Sequence, residues 1–497
     1  MNARKRNIIG TCAGILLALT AGAPVVADDT ELLLVVPPPN NNPKPNILFI
    51  MDTSTSMVSV EETIEPYDST LSYAGDCDVD RVYWSSIEIV PVCDAANTSY
   101  IEQAEFVCDI ANQQMLGIGS YSGVMVQYRP GLSGGTAKWQ YLAAGFNTEF
   151  VECEADSGIH GDGTAGFVYA AKGAGLANPF TDDQSEELSW GSAPRNQNYT
   201  FYDGNYLNWK DNPVTVNLDR MTIVKAVLTA VLQSISNVNI GVMRFNDTHG
   251  GTVIKALSDL DTDRAALLAT IDSLSAVNHT TLAESLYETA LYWRGMPAYF
   301  GEKDKFHPTD PAALDSIGPE DYAQPETNTC SKNFNVLLSD GSAVASRDDE
   351  AATLVPTLPN FAPVLGRTAC DGSGAGQCMD DVSEYLSKED IDPILPGDQF
   401  VTTHSIGFAI DTADLRSTAE RSGGTYFLAD DVESLTNVLL DIVADITARN
   451  LSFAAPEPQK LTALSSKKPV AGFTAPRPFA STISPLLNWY FLTLPGQ

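Results

Sequence analysis

The stretch Ile47-Leu48-Phe49-Ile50-Met51-Asp52-Thr53-Ser54-Thr55-Ser56-Met57 decides how the chain is read. Its five leading apolar residues predict a strand buried on both faces, as in a parallel sheet. Asp52 then falls where the strand ends and a loop begins, which is where open α/β sheets place their ligands. Asp52, Ser54 and Ser56 offer one charged and two neutral oxygens to a single small volume. Hard cations such as Mg²⁺ take oxygen ligands and keep several waters. An Asp-Ser loop is also an ordinary turn or helix cap, so this stretch alone leaves both readings open.

Working outward, Asn333 to Ser339 is a second buried-strand run, and it ends in Asp340-Gly341. Thr280 and Thr281 precede an amphipathic helix predicted over 282–293. Helical spacing of Met221, Val224, Val227, Leu228, Val231 and Leu232 predicts another helix, with more expected over 260–274, 379–386 and 432–448. Strands are predicted at 238–245 and 401–410, with a short edge strand at 423–428. Strands alternating with helices imply an α/β fold with a doubly wound, mostly parallel sheet and right-handed crossovers.

Asp52-x-Ser54-x-Ser56, then Thr280, then Asp340 after a buried strand, resembles the metal-ion-dependent adhesion site of von Willebrand factor A domains. The resemblance implies that Ser54, Ser56 and Thr280 touch a metal, Mg²⁺ or Mn²⁺, while Asp52 and Asp340 bind it mainly through water. Thr55 stands where that pattern often has Gly, and Thr281 where Pro is common. A β-branched residue at a turn needing positive φ would be strained. Further motifs are similar to the PilY-type adhesins of bacterial type IV pili: Gly204-Asn205-Tyr206-Leu207-Asn208-Trp209, Cys330-Ser331-Lys332-Asn333, Thr403 to Phe408, and Gly423-Gly424-Thr425-Tyr426. That resemblance covers roughly residues 30 to 455. It implies a secreted pilus-tip adhesin and assembly factor, with pilins or minor pilins and a carboxylate-bearing surface or host ligand as partners. Its members continue into a C-terminal β-propeller with a calcium loop, which does not occur before Gln497. The alternative is a secreted matrix or receptor binder with no role in pili.

The domain plan follows. Arg4-Lys5-Arg6, an apolar run from Ile8 to Leu19 and small residues up to Ala27 predict a signal peptide over 1–27, with the protein exported to the periplasm, outer membrane or cell surface. Residues 28–44 read as a Pro/Asn spacer. The A domain is assigned to 45–56 and 220–448, and a β-rich, disulfide-braced insertion to 57–219. Residues 449–497 form a tail or the start of another domain. Loops near 294–332 and 342–398 are expected to lengthen one end of the sheet. The segment 202–209 resembles a surface-binding loop, with aromatic packing as the competing reading.

A net charge of −34 argues against nucleic acid or an anionic membrane as partner. Beyond the leader, no segment is apolar enough to span a bilayer. The cysteines beyond Cys12 number seven and contain no CxxC zinc pair, so disulfides are expected after export. Cys370 is expected to pair with Cys378 across a glycine-rich loop. The four insertion cysteines are expected to pair among themselves, leaving Cys330 as the free thiol. The five histidines show no HExxH spacing, and no GxSxG elbow, Walker loop or dinucleotide fingerprint occurs. Ser54 removes the second carboxylate that an Asp-x-Asp phosphatase needs. A binding protein is therefore expected, not an enzyme. His404 is expected in the core, and His279 beside Thr280.

Overall fold

A computed structural model describes residues 43–451, apart from 87–88, 94–98, 131–136, 157–167, 171–177, 184, 186–187, 189–196, 278, 302, 304–306, 319, 326–330, 345, 347, 375 and the side chains of 448 and 451. The predicted signal peptide, most of the spacer, Cys330 and the tail from 452 onward lie outside the described residues.

The molecule is a mixed α/β structure with several sheets. The largest has six strands: β1 (Asn46–Met51), β2 (Asn239–Phe245), β3 (Gly251–Asp259), β4 (Asn333–Ser339), β5 (Val401–Phe408) and β6 (Tyr426–Ala429). Their order is β3-β2-β1-β4-β5-β6. All neighbours pair in parallel except β2 and β3. β3 was not anticipated, because its mixture of polar and apolar residues matches an edge strand with one solvated side.

Side-chain alternation splits β1 between two cores. Leu48 and Ile50 face one cluster, which includes α3 (Leu282–Trp293) and α4 (Met379–Leu386). Ile47, Phe49 and Met51 face the other, with α1 (Arg220–Ser234), α2 (Leu260–Ser273) and α6 (Val432–Leu451). Helices thus cover both faces, and every residue of β1 is buried. Helix α5 (Ala413–Arg421), also unforeseen, follows β5 with Thr412 as its N-cap.

Order reverses at β1. The chain leaves β1 through α1 to β2 on one side, whereas β4 lies on the other. Adjacent strand ends there feed loops that diverge in opposite directions, the position where α/β sheets generally place ligands. Asp52 and Asp340 follow those two strands directly.

The segment 57–219 leaves and returns through a two-stranded stem, Val60–Ile64 antiparallel to Thr215–Asp219. It carries its own antiparallel sheet, built from Tyr100–Glu102, Arg81–Ser85, Asn198–Asp203, Ser120–Arg129 and Lys138–Gln140 in that order. Beside these strands it also holds a helix, Asp109–Ile118, capped by Cys108 and closed by Gly119 at φ 71°. That helix packs on α1 so closely that a Cβ at Gly117 would lie 2.2 Å from the Ala230 carbonyl oxygen. Gly204–Asp211 is a second helix rather than a surface loop. Leu207, Asn208 and Trp209 are buried, because the Asn208 side chain bonds the Cys77 backbone and the Trp209 indole donates to the Glu65 carbonyl. Aromatic packing is the outcome at this segment.

Disulfides join Cys77 to Cys93, Cys108 to Cys153 and Cys370 to Cys378, the pairing expected. The segment 294–332 starts at the far end of α3 and folds back along it, so Phe300 reaches Asn246 and Gly250 while Asp310 bonds β3.

His404 is a core residue, fully buried and stacked on Phe334, with Nδ1 accepting from the Thr425 N–H. Burial lowers its pKa to about 4, outweighing the opposing pull of Asp445. A folded-state pKa below the unfolded value means stability is lost as pH falls from about 6.5 toward 4. His404→Gln is expected to remove about 2–3 kcal/mol of the decline in unfolding free energy between pH 7 and 4.5, read by denaturant titration at both pH values.

Candidate metal centre

The site is built from the ends of β1 and β4 and the N-terminus of α3. Asp52 is fully buried, and its N–H donates to the Leu338 carbonyl, which continues the β1–β4 ladder one step past β1. Its Oδ1 accepts from the Ser54 N–H at 2.7 Å and its Oδ2 from the Ser339 hydroxyl at 2.5 Å. Ser54 Oγ lies 2.7 Å from Ser56 Oγ, and Ser56 Oγ donates to Asp340 Oδ1 at 2.6 Å. The Ser54–Ser56–Asp340 hydroxyl–carboxylate chain therefore spans the two strand ends.

Thr280 enters from the third side. A Cβ placed on Gly341 would lie 3.3 Å from Thr280 Oγ1 and 3.5 Å from Ser56 Oγ, so both hydroxyls border the same point. The Thr280 carbonyl accepts from the Val344 N–H, tying this loop to the one after β4. All five residues singled out in the sequence, Asp52, Ser54, Ser56, Thr280 and Asp340, thus gather at one end of the sheet. His279 is exposed beside them.

Neither threonine is strained. Thr281 has φ −116°, and Thr55 is not among the described residues with positive φ. The expected turn does not form at either position. Residues 55–58 make a 3₁₀ turn, and Thr281 Oγ1 donates to the Gly250 carbonyl at 2.7 Å. A β-branched side chain is compatible with both conformations.

Three participants were missed in the sequence. Ser339 was taken only as the end of a strand. Arg220 opens α1 and reaches Asp340 Oδ2 at 2.9 Å and Glu61 at 2.6 Å. Glu61 stands on the stem strand, and the Arg220 N–H donates to the Ser59 carbonyl, which sets the register of that contact. A polar residue just past an Asp-capped helix start is too common to stand out.

Electrostatically the site is unbalanced. Burial, and secondarily the charge of Asp340, pushes the Asp52 carboxyl up to about 6, against the hydrogen bonds from Ser339 and Ser54. Two desolvated carboxylates share one pocket of hydroxyls, with Arg220 satisfying only one of them. The donors are two carboxylates and three hydroxyls, all hard oxygens, which fit a small six-coordinate ion. A cleft of about 370 Å³ between the insertion and the helices, lined by Tyr67, Tyr206 and Trp209, contains none of these five residues.

No protein-family model and no curated protein matches the chain. Among solved structures, BatB from Bacteroides thetaiotaomicron, a conserved hypothetical protein, is 8% identical with a TM-score of 0.28, covering 46% of this chain and 89% of that one. The PilB minor pilin from Streptococcus sanguinis is 12% identical with a TM-score of 0.27, covering 80% and 94%. The SpRpn10 VWA domain is 8% identical with a TM-score of 0.24, covering 45% and 84%. Scores this low carry no argument about function, which rests on the site itself.

Removing one partner from a buried ion pair leaves an uncompensated charge, at a cost of about 3–5 kcal/mol. Arg220→Ala is therefore expected to destabilise the protein by that amount in a chelating buffer, measured by urea unfolding. A cost below about 1 kcal/mol would mean that Arg220 does not hold Asp340.

Proposed function

We propose that the chain is an adhesin with a von Willebrand factor A-type, doubly wound domain, binding its partner through a divalent metal held at the end of the sheet. Ser54, Ser56 and Thr280 would hold Mg²⁺ or Mn²⁺ directly, with Asp52 and Asp340 acting mainly through water. The ion would supply an open position for a partner's carboxylate. The carrying observation is the Ser54–Ser56–Asp340 hydrogen-bonded chain across adjacent strand ends, with buried Asp52 and Thr280 beside it. The reading is a binding protein and not an enzyme.

The finer assignment is to the PilY-type pilus-tip adhesins, exported to the cell surface and engaging pilins or minor pilins. Disulfides in two separate regions favour an oxidising compartment. No helix among the described residues is long and apolar enough to cross a membrane. Because the insertion leaves the chain just after Ser56 and returns at Arg220, it would form one wall of the ligand-binding face.

Calorimetry on the exported protein is expected to show Mg²⁺ and Mn²⁺ binding in preference to Ca²⁺, abolished by Asp52→Ala. Asp52 lies past the last β1 residue, so the variant should remain folded and exported. In a piliated strain lacking its own copy, the wild type should restore surface pili and attachment while Asp52→Ala should not. Equal restoration by both would overturn the metal-dependent reading. Metal binding without any effect on pili or recovery with pilins would favour a matrix or receptor binder instead.

A further inference from the structure

A second group of ligand-type side chains lies at the same end of the sheet, and none of it belongs to the site above. His249 sits in the loop joining β2 to β3, Glu284 in the first turn of α3, and Asp349 in the loop after β4. Each presents one ligand atom, and the three atoms fall within 4.8 Å of one another. His249 Nδ1 is 3.2 Å from Glu284 Oε2 and 3.9 Å from Asp349 Oδ1. Two ligands about 2.1 Å from a common ion are separated by roughly 3.0–3.4 Å at right or tetrahedral angles. The His249–Glu284 separation of 3.2 Å lies in that range, and Asp349, at 3.9 Å on an exposed loop, needs only a small approach to join it.

The surroundings hold this arrangement in place. Glu284 is fully buried, with Oε2 accepting from the Gly250 N–H and Oε1 from the Glu350 N–H, both at 2.9 Å. These bonds fix the carboxylate with its Oε2 toward His249 Nδ1, within hydrogen-bond reach. Asp348, also buried, caps α3 by accepting from the N–H groups of Ala283 and Glu284, so it anchors the loop that carries Asp349. Glu350 is engaged by Tyr299 and Lys303. Burial, with Glu350 and Asp349 adding repulsion, pushes the Glu284 carboxyl up to about 7. His249 and Asp349 reach solvent, which gives an ion a way in.

We propose that His249, Glu284 and Asp349 form a second cation site, selective for a divalent first-row transition metal of the Zn²⁺ type. One imidazole nitrogen with two carboxylates suits such an ion, whereas Mg²⁺ and Ca²⁺ prefer all-oxygen sets. The site joins three separate segments: the β2–β3 loop, α3 and the loop after β4. Thr281 Oγ1 bonds Gly250 beside it, so an ion here also steadies the turn that carries Thr280. The proposal does not depend on the adhesin reading.

The test is Zn²⁺ calorimetry on chelator-stripped, exported protein with free thiols alkylated and Mg²⁺ present in excess. One Zn²⁺ per chain is expected. Its affinity should fall at least about tenfold in His249→Ala and in Asp349→Asn, both accessible positions where folding is checked by circular dichroism. Asp52→Ala should leave it unchanged. Co²⁺ substitution should give visible absorption bands that vanish in His249→Ala. Zn²⁺ binding that is absent, or that is insensitive to both accessible variants, overturns the proposal. Loss of Zn²⁺ in Asp52→Ala would place the ion in the other site and overturn it equally. Mg²⁺ binding and piliation do not enter these outcomes, so the two readings fail separately.

Discussion

The structure depends on one electrostatic constraint: two carboxylates, Asp52 and Asp340, stand desolvated at the ends of neighbouring central strands. Burying one such charge without partners costs many kcal/mol. The fold meets that cost with nearby dipoles and a single cation. Ser339 and the Ser54 N–H serve Asp52, while Ser56 and Arg220 serve Asp340. Each requires its element to arrive at a fixed position. Arg220 does so because Asp219 caps α1 and the stem holds Ser59 against it.

The same logic explains helix α3, in which all twelve residues are buried although two are glutamates. Glu288 accepts three backbone N–H groups, from Tyr299, Phe300 and Gly301, and the Tyr322 hydroxyl. The segment 294–332 folds back along the helix to supply these donors. Asp348 does the corresponding work at the N-terminus, where a carboxylate also suits the helix dipole. Buried acids therefore organise the loops around this helix, and Glu284 belongs to that system. One end of the sheet consequently carries an all-oxygen donor set and, separately, a nitrogen-containing one.

The insertion is coupled to this end through short, rigid connections. Its stem pairs Val60 with Asp219, and its first helix is pressed against α1 at Gly117. Tyr67, Tyr206 and Trp209 pack against one another, with ring centroids 5.2–5.7 Å apart, so the aromatic segment serves cohesion between stem and sheet. Glu61 on the stem shares Arg220 with Asp340. A shift of the stem would therefore be felt at the carboxylate.

Sequence alone determined the elements whose signal is local. The runs 47–51 and 333–338 read as strands buried on both faces, and Asp52 and Asp340 were legible because each follows such a run. Helices 282–293 and 379–386 match their predicted limits, since apolar spacing continues to their ends. Cys370 and Cys378 paired as read because the loop between them is short. Tertiary structure decided whatever depends on partners distant in the chain. The segment 204–209 became a helix because Cys77 and Glu65 take its polar groups. Thr281 escaped strain because Gly250 offered a carbonyl. Arg220 became part of the site because Asp340 lies 120 residues away in sequence and 2.9 Å away in space. A buried charge must find its counterpart wherever the fold brings one, and nothing in the local pattern of either segment records that meeting.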